Sequence, residues 1–140
     1  MNPILRNMLG LVIGWIGGSV ANMGLIELGY KLMPIQGVDA SDMEAYVEVL
    51  PTLEPKFFLF PFLAHAVGSL VGASIAGLIA VNNKMKYALG LGAFFFLGGA
   101  IINYMLPGPT WFTIVDLVFA YFPMAWIGGK VAENRATMTV

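Results

Sequence analysis

Residues 57–81 read FFLFPFLAHAVGSLVGASIAGLIAV, a run without one aspartate, glutamate, lysine or arginine. The hydrocarbon core of a bilayer is about 30 Å thick, and a helix crosses it in about 20 apolar residues. The stretch is long enough to cross, and the imidazole of His65 is its only ionisable group. A helix apolar all round belongs in lipid or deep inside a large core. A chain of 140 residues builds no core of that size.

Outward from this segment, three more runs meet the same criterion: about Met8–Leu32, Tyr87–Leu106 and Trp111–Gly129. Helices satisfy their own backbone hydrogen bonds where water is absent, and no run alternates as a barrel strand would. Composition agrees: 59% of residues are hydrophobic and 11% charged, against about 25% charged in soluble domains. The predicted fold is all-α, a single domain over 1–140, with four transmembrane helices in a compact bundle. Asn82-Asn83-Lys84 and Pro107-Gly108-Pro109 are tight links, so the second, third and fourth spans run antiparallel to their neighbours. A leader reading of Arg6 to Ala21 is disfavoured, because the apolar run continues to Leu32.

Net charge is −1, which gives no basic field for nucleic acid. Absence of cysteine excludes disulfides, thiolate metal sites and cysteine nucleophiles. Basic residues favour the cytoplasmic side of spans. With the N-terminus inside, Arg6, Lys84, Lys86, Lys130 and Arg135 fall in the cytoplasm, and only Lys31 and Lys56 outside. The expectation is a multi-pass protein of the cell (inner) membrane with both termini cytoplasmic. The outer loop carries Asp39, Asp42, Glu44, Glu48 and Glu54. Ser41 and Glu44 have capping-box spacing, and Met43, Tyr46, Val47 and Leu50 make one apolar face. This predicts a short amphipathic helix over about 42–50, lying on the outer membrane surface and closed by Pro51.

Helices associate in lipid by close packing at small residues. Gly10, Gly14 and Gly18 make two GxxxG steps in the first span, and Gly68, Gly72 and Ala76 repeat the spacing in the second. Such stripes serve packing within one bundle, between copies of the chain, or against a larger membrane complex. Partners beyond the lipid bilayer are therefore a homo-oligomer or such a complex. Gly17-Gly18-x-x-x-Asn22 is echoed by Gly98-Gly99-x-x-x-Asn103.

Charged groups inside a membrane are costly and persist when paired, wetted or useful. Glu27, His65 and Asp116 are the ionisable residues within the spans, and Asn22 and Asn103 add neutral polar groups. All five fall in the outer half of the bilayer, and they define a candidate ligand or ion pocket. His65 shares a face with Ser69, Gly72 and Ala76, and Asn103 with Gly92 and Gly99. Glu27 lies to one side of its helix's glycine stripe, and Asn22 to the other. Pro61 and Pro123 each remove a helical donor and are expected to kink their helices and widen the pocket. The metal reading is underdetermined, with no HxxxH or ExxH pair, so no metal and no cofactor are assigned. No nucleophile elbow, HExxH or phosphate loop is present, and no catalytic residue is assigned. Transport or binding of a small solute or ion leads. An accessory subunit and a membrane enzyme acting on a lipid-soluble substrate stay open as alternatives.

Overall fold

Asparagine, proline and lysine set where the spans begin and stop. The computed structural model describes residues 2–39 and 41–138. Helix α1 covers Pro3–Leu32 and begins before the expected Met8 because Asn2 caps it, its side chain accepting from the Ile4 amide at 2.9 Å. Pro3 then sits at the first helical position, where a missing N–H costs nothing. Helix α3 covers Leu59–Ile79, and α4 covers Lys84–Met105. Between them Asn83 takes a left-handed φ of 47°, a conformation asparagine tolerates better than most residues.

The fourth span departs from the expected single helix. It is two pieces, α5 over Thr110–Phe119 and α6 over Phe122–Thr137, which carries it past the expected end at Gly129. The ladder stops with Ala120 N–H on the Asp116 carbonyl and resumes with Ala125 N–H on that of Tyr121. Pro123 has no N–H to bridge that gap, so the expected kink is a break at Ala120–Tyr121. Pro61 behaves otherwise. It lies in the first turn of α3, where no intrahelical donor is lost, and the irregularity there is a 3-10 turn over Pro55–Phe58. Four spans long and apolar enough to cross a membrane result, in an all-helical bundle.

The glycine stripes meet. A Cβ on Gly14 would stand 2.6 Å from the Gly72 carbonyl oxygen, and one on Gly18 2.6 Å from that of Gly68. Gly10 lies against Ala76 in the same antiparallel register, so α1 and α3 touch backbone to backbone. On the other side of α3, Gly77 meets Ala132 and Gly128 meets Ser74, which makes α6 parallel to α3. Helix α4 joins α6 through Gly92 against Ala125. Helix α3 is therefore central, and α1 and α4 flank it without closing on each other along their length.

At the end that carries both termini, cations close the open carbonyls of α3. Lys84 Nζ donates to the carbonyls of Gly77, Leu78 and Ala80 at 3.1, 3.2 and 2.7 Å, and Arg6 Nε to that of Ile79 at 2.8 Å. Asn7 ties α1 to the same corner, donating to the Tyr87 hydroxyl and accepting from the Val81 amide.

At the opposite end lies α2, Met43–Val49. Its cap is Asp42, which accepts from the Ala45 amide at 3.1 Å, and not the expected Ser41–Glu44 box. Ser41 is turned away because its N–H and Oγ–H both donate to Asp39. On the apolar side of this loop Leu50 is buried among Phe58 and Phe112, so the loop packs on that end of the bundle, while Met43 is more than half exposed.

Candidate functional site

Asp116 sits near the end of α5, one turn before the break, and none of its surface is exposed. Its carboxylate is held by three side chains. His65 Nδ1 from α3 is 2.7 Å from Oδ1, and Asn103 Nδ2 from α4 is 2.9 Å from Oδ2. The hydroxyl of Tyr121 donates to Oδ2 at 3.1 Å. A carboxylate only accepts, so this arrangement places a proton on Nδ1, and in the neutral imidazole Nε2 is then the acceptor. Asn103 also donates to the Gly99 carbonyl of its own helix at 3.0 Å, which fixes its rotamer. Burying a carboxylate is costly unless its oxygens are filled, and here three elements supply the donors.

His65 faces a cavity of about 570 Å³ that opens between α1 and α4. Asn22 and Ser19 give it further polar lining, and Trp15, Phe94 and Phe95 give it aromatic walls. Its rim is formed by side chains on the bundle's outer surface, among them Met23, Leu97 and Ile101, each more than half exposed. The opening is thus sideways, at the level of the spans. Ser69 is 1% exposed, and its Oγ is the one buried side-chain polar atom without a hydrogen-bond partner among the described residues. An unsatisfied buried hydroxyl costs about 1–3 kcal/mol. Nε2 of His65 also has no protein partner, and it is not sealed from the cavity.

No family model, curated protein or solved structure matches this chain. The geometry alone carries the functional argument.

Of the five polar residues singled out in the sequence, His65, Asp116 and Asn103 form one network. Asn22 lines the cavity beside Gly68 and makes no hydrogen bond to the described residues. Glu27 is elsewhere. It lies on the exposed side of α1, 3.7 Å from Lys31 one turn on, with most of its side chain accessible. Two members of the site escape sequence reasoning. Tyr121 is five residues from Asp116, a spacing that on a straight helix points the two side chains about 140° apart; the break brings them together. Ser69 has the right spacing from His65, but a serine amid glycines reads as another small packing residue.

Serine, histidine and aspartate meet here without forming a nucleophilic triad. The Ser69 hydroxyl makes no hydrogen bond to His65, the contact through which a base activates a nucleophile. No cluster of three or more His, Asp or Glu side chains suited to a metal exists among the described residues. What remains is a polar recognition surface. An imidazole is oriented from behind by a carboxylate, beside a hydroxyl and an amide in an aromatic-walled cavity.

Proposed function

We propose that this protein binds a small hydrogen-bonding solute within the bilayer, at His65, and carries it across the membrane. The observation that carries the reading is the cavity-facing imidazole of His65, whose Nδ1 is occupied by Asp116 while its other ring nitrogen has no protein partner. That nitrogen, with the Asn22 amide in the lining of the same cavity, is left for a ligand to satisfy. Carriage draws support from the discontinuous fourth span, since broken helices at mid-membrane polar sites are the recurring device of secondary transporters. A change in the Ala120–Tyr121 break would move Tyr121 relative to Asp116 and so reset the cavity wall.

The membrane is taken to be the cell membrane, with both termini in the cytoplasm. Five basic residues, Arg6, Lys84, Lys86, Lys130 and Arg135, sit at the terminus end, against Lys31 and Lys56 at the other.

The test is thermal unfolding of the purified protein against a panel of small alcohols, acids and amides, with wild type beside His65→Ala. A compound that raises the midpoint of the wild type and leaves the variant unmoved supports the site. Equal shifts in both, or none with any compound, overturn it.

A further inference from the structure

A second hollow lies between α1 and α4, nearer the terminus end than the His65 cavity. It holds about 430 Å³ and is walled by Leu11, Val12 and Trp15 on α1 and by Gly90, Leu91 and Phe94 on α4. Gly90 has nothing within 4 Å of a would-be Cβ, so its side of the hollow is open space. Towards the termini the lining ends at Tyr87, whose hydroxyl accepts from Asn7 and ties α4 to α1, and at Lys86. From Lys86 to Phe94 the hollow follows α4 for about 12 Å, most of the roughly 15 Å depth of one leaflet's hydrocarbon.

Lys86 is a feature that nothing in the fold explains. It stands in the first turn of α4, which has no acidic residue and no capping side chain. A cation at a helix N-terminus opposes the helix dipole. Lys84, in the same turn, offsets that by closing the carbonyls of α3. Lys86 is exposed and has no hydrogen bond or ion pair with any described residue. Glu133, the one carboxylate near this end, is held by Lys130 at 3.0 Å. The 22 residues of α4 span about 33 Å, slightly more than the hydrocarbon core, so its first turn stands at headgroup level.

We infer that this hollow holds one chain of an anionic phospholipid, from the leaflet on the side of the termini, with its phosphate at Lys86. This site is separate from the one at His65. The chain meets apolar walls, and the phosphate meets an ammonium that no protein acceptor contests. The phosphate also counters the cation at the start of α4. Arg6, Lys84, Lys130 and Arg135 share that end, so a headgroup with a net negative charge is favoured over one that carries its own ammonium. A second copy of the chain fits less well, because the carboxylate it would bring to this level is the already paired Glu133.

The experiment uses the full chain in lipid vesicles, with Trp111→Phe and Trp126→Phe leaving Trp15 as the one tryptophan. Its fluorescence is read against phosphatidylglycerol or phosphatidylcholine brominated at mid-chain, since bromine quenches a tryptophan it touches. Expected is quenching by both, with phosphatidylglycerol favoured about fivefold, the worth of one cation near a membrane surface. Lys86→Ala is expected to abolish that preference, and Lys130→Ala, at the same end but outside the hollow, to leave it. Gly90→Leu, which fills the hollow, is expected to abolish the preference as Lys86→Ala does. Val12→Phe fills it from the α1 side and takes its place should Gly90→Leu not fold. Equal quenching by the two lipids in the wild type overturns the proposal. So does a loss on Lys130→Ala as large as on Lys86→Ala, which would mean a diffuse field and no site. A preference that survives filling the hollow shows that no chain sits there, and overturns it as well. Quenching by neither lipid means that protein, a second copy included, covers the hollow, and also overturns it. Unfolding midpoints of the variants separate lost binding from lost fold.

Discussion

Nδ1 of His65 and Oδ1 of Asp116 are 2.7 Å apart, joining the central helix α3 to the broken fourth span at a depth no solvent reaches from the Asp116 side. The pair binds two spans together and also fixes which imidazole nitrogen faces the cavity. Those two roles separate on mutation. Leaving a buried donor unsatisfied costs about 1–3 kcal/mol. Asp116→Ala strands His65, Asn103 and Tyr121 together and is therefore expected to destabilise by at least that amount. Asp116→Asn, which keeps the shape, should cost less. Unfolding of both in mixed micelles by a graded denaturing detergent checks the order, and equal losses for the two would contradict it.

Gly99 and Tyr121 test the network from another direction. A Cβ on Gly99 would fall on the Tyr121 ring and hydroxyl. Gly99→Ala should push Tyr121 off Asp116, with an overpacking cost of about 1–3 kcal/mol. Combined with Tyr121→Phe, which removes the same hydroxyl, the losses should be less than additive. A double-mutant cycle on unfolding free energy measures this, and strict additivity would dissociate the two residues.

Glycines of α1 are expected to divide by what they meet. Gly14→Ala drives a methyl into the Gly72 carbonyl and should cost about 1–3 kcal/mol. Gly24 meets nothing within 4 Å, so Gly24→Ala should be neutral or stabilising by up to about 1 kcal/mol. Thermal midpoints of the two variants give the comparison.

Lys84 is predicted to matter for its hydrogen bonds more than for its charge. It closes three carbonyls at the end of α3. Lys84→Met keeps the stem and removes the donors, with an expected loss of about 1–3 kcal/mol. Amide exchange at the last turn of α3 should rise in parallel, and unchanged exchange there would show the caps to be dispensable.

The loop end should respond to pH at both extremes. Burial, with Tyr30 beside it, pushes the Tyr46 phenol up to about 12. A raised folded value means the fold favours the neutral phenol. That contribution is present below the ordinary tyrosine range near 10 and is lost as pH climbs towards the folded value. Asp39 runs the other way. Hydrogen bonds from the Ser41 hydroxyl and amide hold its carboxyl below the usual aspartate range. Its contribution to the turn is present above that range and lost as pH falls through the lowered value. Absorbance titration of tyrosinate, compared with Tyr46→Phe, and acid-side exchange of the Ser41 amide check the two limbs.

The spans, their count and the small-residue stripes of the first two were legible in the chain itself, but not that those two stripes meet each other. Lipid leaves a long apolar segment one way to satisfy its backbone, and glycines at GxxxG spacing mark a packing face without naming its partner. Helical spacing also put His65 on the small face of α3, and depth put Asp116 and Asn103 in the same half of the bilayer. Depth alone misled at Glu27, since a carboxylate near a helix end reaches Lys31 and the surface as readily as the interior. The outer loop's cap escaped as well, because Asp39 takes up Ser41 before Glu44 can. Tertiary structure alone decided the rest. Tyr121 joins Asp116 only because the fourth span breaks between them, Ser69 is left without a partner only because no neighbouring helix supplies one, and the cavity exists only because α1 and α4 both pack on α3 and leave a gap. Local pattern sets which face of a helix is polar and how deep it lies. Which faces meet is set by the relative placement of helices that are far apart in the chain.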